Sequence, residues 1–395
     1  MALSAATGDA AYSIPTSSKK LDLSEELAEI IRTDNTALLS RIGASGLVAT
    51  QLKHSWVEDR LNPNTATTVG TITTTTVTIN VSSGQGSRFK IGSLFKFNVA
   101  NSNEVVQVTD VTSDALTVVR GVSSTTPIAI ADGTLTQIMI ISHNKQEGWK
   151  PTQEDWTQER YGNYNYLTGM GYGITITSRR QAVSHAGVPS EFAHQAAYRL
   201  KEFMRQLDSA IINSVRSASE GSASVYSSMG GLIQFVSGDL VITGEPAGNT
   251  NTTAEDLSPS VLNAMAKQIW DQGGMVAGGR LFCLVGGVQK RKIAAFDQAY
   301  RRTDFNTKTV GYTVEKFLSD LGFEIEVIVD PWVPDDVCII GDLNRIKVGP
   351  LQTSGVSLED VAKTGKTIEA MIYGDYTMEV RNATEAFAIH RNLKS

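Results

Sequence analysis

The feature that most constrains the fold is an uninterrupted amphipathic stretch at residues 189–216. It contains no glycine, and its only proline is the first residue, where proline is compatible with a helix start. At a rise of about 1.5 Å per residue, the stretch predicts a helix roughly 40 Å long, which exceeds an average globular helix. Apolar residues recur along it every three or four positions: Phe192, Ala196, Leu200, Phe203, Leu207 and Ile211. We therefore expect a long helix with one buried face that organises the rest of the chain.

Composition sets limits on the class of protein. The 395 residues are 41% hydrophobic, which is enough for two or three domains with a sizeable core. The net charge of -6 argues against a protein whose main function is to bind nucleic-acid phosphates. Cys283 and Cys338 lie in apolar runs, which favours buried free thiols but leaves a disulfide between them open. The N-terminal residues carry neither a basic leader nor an apolar run, so we expect no signal peptide and no membrane segment.

The chain before the long helix is extended or inserted. Residues 1–20 are small and polar and predict an extended arm, and helical spacing of apolar residues follows from Asp22 to Ile42. Residues 65–142 are rich in threonine, valine, serine and glycine, with short alternating runs separated by turn residues. This pattern predicts a small antiparallel β-barrel or sandwich inserted in the chain. The flanking residues 53–60 and 143–183 are expected to form the two arms of a long hairpin.

The chain after the long helix alternates between strands and helices. Ser258 and Pro259 open a second helix, residues 281–285 predict a buried strand, and a basic helix is expected from Gln289 to about Tyr300. Further strands are expected at residues 324–329, 337–341 and 345–348, which indicates a central α/β unit. Residues 367–381 and 385–391 predict a long strand and its partner.

Sequence motifs for catalysis are incomplete. Gly365-Lys366-Thr367 matches the end of a phosphate-binding loop, but Asp360 stands where the loop needs its first glycine and a β-like segment follows. The five histidines are scattered without the spacing of metal ligands. The basic cluster Lys290-Arg291-Lys292 with Arg301-Arg302 lacks interleaved aromatic residues, so a solvated face or a subunit contact is favoured over nucleic-acid binding. We expect no enzyme activity, no cofactor and no metal.

Several segments, most of them in the second half of the chain, resemble the major capsid proteins of tailed bacteriophages, in particular the SU-ten-like subfamily. The segments, in chain order, are Gly162-Asn163-Tyr164, Gly286-Gly287-Val288-Gln289-Lys290-Arg291-Lys292-Ile293, Phe317-Leu318-Ser319-Asp320-Leu321-Gly322, Asp330-Pro331-Trp332-Val333-Pro334, Leu358-Glu359-Asp360-Val361-Ala362-Lys363-Thr364-Gly365 and Gly374-Asp375-Tyr376-Thr377-Met378-Glu379-Val380-Arg381-Asn382. Their order and spacing carry the resemblance, which extends from about Trp56 onward apart from the inserted β domain.

The resemblance implies an α+β Hong Kong ninety-seven-type fold with an inserted small antiparallel β-barrel or sandwich. The implied parts are an N-terminal arm (residues 1–53), an extended loop (54–64 and 143–183), the inserted β domain (65–142), a peripheral domain with the long spine helix (184–221 and 352–395) and an axial domain (222–351). An arm and a hairpin with little core of their own agree with this, because they can bury apolar surface on neighbouring copies.

By the same resemblance, the chain is expected to assemble into hexamers and pentamers of an icosahedral head around double-stranded DNA, without sequence-specific DNA binding. Portal and scaffolding proteins, and a decoration protein, are expected partners. The expected location is the virion, after assembly in the host cytoplasm. Residues expected to contact neighbouring copies are Trp149, Trp156, Arg160, Tyr161, Asn163, Tyr164, Arg301, Arg302 and Asp304. The alternative is a surface protein that binds host carbohydrate through the inserted β domain.

Overall fold

A computed structural model describes residues 36–43, 46–59, 63–99, 102–131, 137–150, 160–183, 190–237, 249–274, 279–296, 316–362 and 365–394. The helices are α1 (Ala37–Ile42), α2 (Ser178–Ala182), α3 (Glu191–Asn213), α4 (Leu232–Val236), α5 (Pro259–Asp271), α6 (Gly287–Ala294) and α7 (Ala383–Ala386). The strands are β1 (Lys53–Glu58), β2 (Thr65–Val69), β3 (Thr78–Val81), β4 (Ser93–Phe97), β5 (Val105–Thr112), β6 (Ala115–Val119), β7 (Gln137–His143), β8 (Tyr161–Tyr166), β9 (Thr168–Thr177), β10 (Asn249–Asn251), β11 (Leu281–Val285), β12 (Lys316–Leu318), β13 (Glu324–Val329), β14 (Cys338–Asp342), β15 (Ile346–Pro350), β16 (Ser357–Asp360), β17 (Thr367–Val380) and β18 (Phe387–His390).

The chain divides into two compact units. The main unit comprises residues 1–56 and 163–395, and the inserted unit comprises residues 57–162. One boundary falls inside β1 and the other inside β8, and these two strands pair with each other as a two-stranded sheet. The segments that flank the insertion therefore lie side by side, as expected for the arms of a hairpin.

The long helix predicted from the apolar spacing is confirmed as α3. It begins at Glu191, where the Ser190 hydroxyl accepts a hydrogen bond of 3.4 Å from the Ala193 N–H. It ends at Asn213, a little before the predicted end, because the Ser214 carbonyl accepts a 2.7 Å bond from the N–H of Gly231 and directs the chain out of the helix. Phe203, Leu207 and Ile211 are buried on its inner face.

A six-stranded sheet in the order β10-β18-β14-β11-β13-β12 forms the centre of the main unit. β11 runs antiparallel to β14 and parallel to β13. Because side chains alternate across a strand, Phe282 and Leu284 of β11 join the core beneath α3, whereas Cys283 and Val285 join a second core that includes α5 and α6. The sheet is thus covered on both faces, as predicted for a central α/β unit.

A second sheet packs against α3. Its long strand β17 pairs antiparallel with β9 on one side and with β16 and β15 on the other. Ile174 and Ile176 of β9 and Ile372 of β17 are buried in the same core as Phe203 of α3. Helix α3, the spine helix, therefore contributes to one apolar core that contains strands of both sheets.

One strand pairing differs from the sequence-based expectation. The strand after β17 was expected to be its partner, but β18 pairs with β14 and β10 in the six-stranded sheet. Asn382 adopts a left-handed conformation with φ of 50°, and the single helical turn α7 follows it. This turn redirects the chain from one sheet to the other, which alternation of apolar residues does not predict.

Two predicted helices are only partly covered by the described residues. The predicted helix from Asp22 to Ile42 appears as α1, and residues 22–35 lie outside the described part of the chain. The basic helix appears as α6, which begins at Gly287 and ends at Ala294, and residues 297–300 lie outside the described part.

The inserted unit contains a closed barrel with strand order β2-β3-β6-β5-β4-β7. The predicted small antiparallel β-barrel is confirmed, and closure of the barrel leaves no free sheet edge. Its interior is filled by the unit's own apolar side chains, including Phe89, Phe95, Ile79 and Leu116, each with no exposed surface. First and last strands are adjacent, since Thr65 of β2 lies opposite Met139 of β7.

A glycine in β14 offers a test of how tightly the central sheet is packed. A methyl group added at Gly341 would lie 2.0 Å from Cδ1 of the fully buried Phe387 ring. We expect Gly341→Ala to lower the free energy of unfolding by about 1–3 kcal/mol, because the added methyl group would force the buried Phe387 ring to shift. Urea denaturation of the purified subunit measures this. Gly173→Ala in β9, where an added methyl group meets no atom within 4 Å, is the control and should change stability by less than about 1 kcal/mol. Equal effects of the two substitutions would contradict the packing described here.

Candidate assembly surface

The ribbon formed by β1 and β8 is fastened to the core of the main unit by its first residues. Trp56 of β1 is buried, and its ring centroid lies 5.9 Å from that of Phe235 in α4. His54 Nε2 lies 3.5 Å from Oε2 of Glu379 in β17, and Arg381 also contacts the same carboxylate. Burial of Glu379 raises its pKa, but the hydrogen bonds from His54 and Arg381 outweigh burial and lower the pKa overall.

Tyr164 of β8 lies between two cations. The Lys53 ammonium and the Arg216 guanidinium each lie 4.0 Å from the centroid of its ring. Arg216 also donates a 2.8 Å hydrogen bond from Nη1 to the Tyr164 carbonyl. Cation–π contacts of this kind contribute about 0.5–2 kcal/mol each. Tyr164 therefore joins the ribbon to Arg216, which lies shortly after the end of the spine helix.

Asn163 and Asn165, also on β8, face the interior of the subunit. Asn163 is 5% exposed, and its side-chain oxygen accepts a 2.8 Å bond from the Tyr164 N–H. Asn165 is fully buried and forms four hydrogen bonds. Its Nδ2 donates to the carbonyls of Gly230 (3.2 Å) and Met378 (2.8 Å), and its Oδ1 accepts from the N–H groups of Gly230 (2.7 Å) and Tyr166 (3.0 Å). One amide thus connects β8, the loop before α4, and β17.

The other described residues of the predicted contact set are more accessible. The Arg160 side chain is 73% exposed, and its Nε lies 3.6 Å from Asp59 Oδ2. Tyr161 is half-buried at the start of β8. Trp149 is 39% exposed, and the Lys145 ammonium lies 5.4 Å from its ring centroid. Trp156, Arg301, Arg302 and Asp304 lie outside the described residues.

Four of the predicted contact residues therefore differ in where their side chains lie. Asn163 and Tyr164 are committed to contacts within the subunit, whereas Arg160 and Trp149 are available to a neighbour. The sequence gives no signal for the role of Asn165, because one polar residue in an aromatic segment looks the same whether it faces water or the core. The sequence likewise did not indicate that Asp208 on α3 and Asp330 after β13 are both fully buried.

The inserted unit has a buried charged pair and an open groove. Glu104 and Arg120 form a bidentate pair with distances of 2.5 and 2.7 Å, and Arg120 also donates to the carbonyls of Thr73 and Ile128. The pair joins three segments at one end of the barrel. Beside the turns at Gly84–Gly92 there is an open groove of about 1360 Å³, whose wall includes Trp149.

The segment that resembles a phosphate-binding loop, the two cysteines and the candidate metal ligands can be compared with the structure. Lys366 immediately precedes β17, and its carbonyl accepts a 3.0 Å bond from the Ser178 N–H, so this segment forms part of a sheet rather than a loop leading into a helix. Cys283 and Cys338 are free and buried, with sulfur atoms 3.5 Å apart, and the pKa of Cys338 is raised by its hydrogen bond to Cys283 and by burial. The described residues contain no cluster of histidine, cysteine and carboxylate groups arranged to hold a metal. Within those residues, no helix is long and apolar enough to cross a bilayer.

Substitution of Asn165 tests whether the β8 amide stabilises the subunit. Asn165→Leu has a similar volume but leaves the Gly230 N–H and the carbonyls of Gly230 and Met378 buried without partners. Each buried unsatisfied group costs about 1–3 kcal/mol, so we expect the free energy of unfolding to fall by at least about 2 kcal/mol in urea denaturation. Asn80→Leu on the exposed side of β3 is the matched control and should have little effect. A stability loss for Asn165→Leu no larger than the control would contradict this role.

The sequence profile of the SU10 major capsid protein family matches residues 7–394. No curated protein matches the chain in sequence. Among solved structures, the capsid of a native GTA particle computed with C5 symmetry is similar over 99% of this chain and 100% of its own, with 10% identity and a TM-score of 0.52. A structure from Microbacterium phage Oxtober96 matches over 93% of this chain and 95% of its own, with 13% identity and a TM-score of 0.46. The SrpI encapsulin complex of Synechococcus elongatus PCC 7942 matches over 62% and 80%, with 13% identity and a TM-score of 0.41.

At 10% identity, the likeness to the GTA capsid shows a shared fold. The fold is α+β and of the Hong Kong ninety-seven-type, with a small closed β-barrel added between β1 and β8. The sequence profile extends over nearly the whole chain and so also includes the segments around the barrel. The chain belongs to the SU10 major capsid protein family, and it is a structural protein of the virion rather than an enzyme.

Proposed function

We propose that this major capsid protein self-assembles into pentamers and hexamers that form the icosahedral head of a tailed bacteriophage and enclose its double-stranded DNA. The observation that carries the proposal is the family match over residues 7–394. The fold shared with a capsid subunit described with C5 symmetry supports it. Rings of five and six copies close a shell when each copy makes the same heterologous contact with its neighbour.

Exposed apolar surface on the subunit supports association with neighbouring copies. Leu358 and Val361, at and just after β16, are 49% and 40% exposed, and Met371 and Tyr373 on the adjacent β17 are both 39% exposed. Leu358 lies opposite the buried Ile372 and therefore on the other face of the strand pair from Met371 and Tyr373, so apolar side chains are exposed on both faces of this edge, where a neighbouring copy can cover them. β16 also carries acidic side chains, Glu359 and Asp360, which add specificity to any contact made there.

The roles of the chain segments are part of the proposal. Residues 1–53 act as the N-terminal arm, residues 54–64 and 143–183 as the extended loop over a neighbouring copy, and residues 222–351 as the axial domain around the five-fold and six-fold axes. Residues 184–221 and 352–395 form the peripheral domain. Since Asn163, Tyr164 and Asn165 serve the subunit's own core, the part of the extended loop that reaches a neighbour is the part before them, which includes Trp149 and Arg160.

The net charge of -6 suits a wall around DNA. A strongly basic inner surface would attract the phosphate backbone and hold it, whereas an acidic subunit confines DNA without sequence-specific binding. A portal protein, a scaffolding protein and a decoration protein are the proposed partners, and the host cytoplasm is the proposed place of assembly.

Carbohydrate binding by the inserted barrel is the weaker candidate. Recognition of sugar rings commonly uses exposed aromatic faces, and Trp149 is the only tryptophan in the described part of the inserted unit. The indole is also contacted by the Lys145 ammonium. No further observation favours this function, so it stays a sequence-based alternative.

Expression of the full chain tests the assembly proposal. Electron microscopy of the purified protein, with its scaffolding protein if one is required, should show closed shells with five-fold and six-fold capsomers. A chain that remains monomeric under all assembly conditions, with and without a scaffolding protein, would contradict the proposal.

Reversal of the exposed charge at Arg160 tests the extended loop. Arg160→Glu should leave the urea denaturation midpoint of the subunit unchanged, because the Arg160–Asp59 pair is exposed and contributes little to stability. It should reduce the yield of shells by about tenfold or more, since a like-charge contact at an interface costs several kcal/mol. Arg160→Lys retains the charge and is the matched control, with yield near that of the parent. Normal shell yield for Arg160→Glu would show that Arg160 does not contact a neighbouring copy.

Excision of the barrel tests whether the insertion takes part in shell closure. Residues 65–142 can be replaced by a short glycine-serine linker, because β2 and β7 are neighbours and the barrel has a separate core. We expect folded subunits that still form closed shells. Folded subunits that form none would instead assign the barrel to a contact between copies.

A further inference from the structure

Two buried carboxyl groups from different elements bind the first turn of helix α1. Asp208 Oδ1 on α3 accepts a 2.8 Å hydrogen bond from the Leu39 N–H, and Asp330 Oδ2 accepts a 3.3 Å bond from the Leu38 N–H. Both carboxyl groups are fully buried. Asp330 also accepts a 2.9 Å bond from the Trp332 N–H, which fixes its position after β13.

Helix α1 depends on these two acceptors at its start. Its N-cap residue, Thr36, forms no side-chain cap, so the first N–H groups of the helix lack a local partner. Leu38 is fully buried in the core beneath α3. α1 belongs to the N-terminal segment, residues 1–52, in which Ala49 also forms a bridge with Leu351, and the two aspartates attach α1 itself to the spine helix and to the end of β13.

The charges around the pair leave Asp208 without a cation. In the described part of the chain, neither Asp208 nor Asp330 forms an ion pair, and the Asp208 carboxyl lies within hydrogen-bonding reach of the Asp330 carboxyl. The nearby cations have other partners or positions: Arg41 of α1 pairs with Glu326 of β13, and on segments that pack against α1, Arg345 donates to Asn382 and Lys347 lies opposite Glu379 in strand register. Burial, together with the adjacent Asp330 carboxyl, raises the pKa of Asp208 to about 8.

We propose that Asp208 and Asp330 form a proton-dependent clasp for the N-terminal segment, closed while Asp208 holds a proton and loosened when Asp208 ionises. With the proton in place, the pair carries at most one negative charge, and the α1 N–H groups and helix dipole stabilise it. Without the proton, two carboxylates are buried together with no cation between them, which favours release of α1 and entry of water. The clasp lies within one subunit, so it is independent of the proposed shell.

The direction of the pH dependence follows from the raised pKa. The docked state keeps the Asp208 proton over a range of pH in which a solvated aspartate has lost it. The stabilisation of docked α1 is therefore fully present below the ordinary value of 3.8, decreases as pH rises, and reaches its minimum above about 8. Within this range, docking weakens by at most about tenfold per pH unit, the limit for one linked proton.

Hydrogen–deuterium exchange of the Leu38 and Leu39 amides measures the clasp directly. The full-length unassembled subunit is exchanged from pH 6 to pH 9, and each rate is divided by the intrinsic rate at that pH. We expect protection of both amides to fall as pH rises, with little further change above about pH 8. Constant protection over this range in the parent protein would overturn the proposal.

Two variants distinguish the effect of the Asp208 proton from the effect of the Asp208 hydrogen bond to Leu39. Asp208→Asn cannot ionise but keeps an oxygen to accept from Leu39, so its protection should be independent of pH and at least as high as that of the parent at pH 9. Asp208→Leu removes the acceptor and should reduce protection at every pH. Asp110→Asn, on the exposed side of β5, is the control and should retain the parent's pH dependence. A pH dependence in Asp208→Asn equal to that of the parent would overturn the role of the Asp208 proton.

Discussion

Burial of one face of the spine helix is the constraint on which the main unit depends. Phe203, Leu207 and Ile211 of α3 are at most 2% exposed, and burial of each such side chain contributes about 1.5–3 kcal/mol. These side chains belong to a core that also contains strands of the six-stranded sheet and of the β9–β17 sheet. Loss of this helix would leave both sheets with an uncovered apolar face.

Polar groups then determine which segments attach to that core. Asn165 connects β8 to the loop before α4 and to β17, and Glu379 connects β17 to His54 of β1. Asp208 and Asp330 attach α1 in the same manner. Because an unpaired polar group in the interior is costly, each of these residues allows only one arrangement of the backbone around it. Such contacts fix α1 and the first part of the β1–β8 ribbon against the core of the main unit.

The inserted barrel is stabilised by contacts within itself. Its strands close on one another, its core is its own, and the Glu104–Arg120 pair holds three segments together at one end. A closed barrel presents no strand edge to another chain, so it can be added between β1 and β8 without creating a site for uncontrolled association. Its presence within a family fold is therefore compatible with an ordered shell.

Features that rest on local pattern were predictable from the amino-acid sequence. The spacing of apolar residues located α3, the alternating threonine-rich runs located the barrel, and the order of short motifs in the second half identified the family. Tertiary structure alone decided the pairing of β18 with β14 rather than β17, the burial of Asn163 and Asn165, and the meeting of Asp208 with Asp330. The physical reason is that periodicity reports which side of a helix or strand is apolar, whereas strand partners and buried polar contacts depend on residues far apart in the chain, such as Ile340 and Ala388 or Asp208 and Asp330.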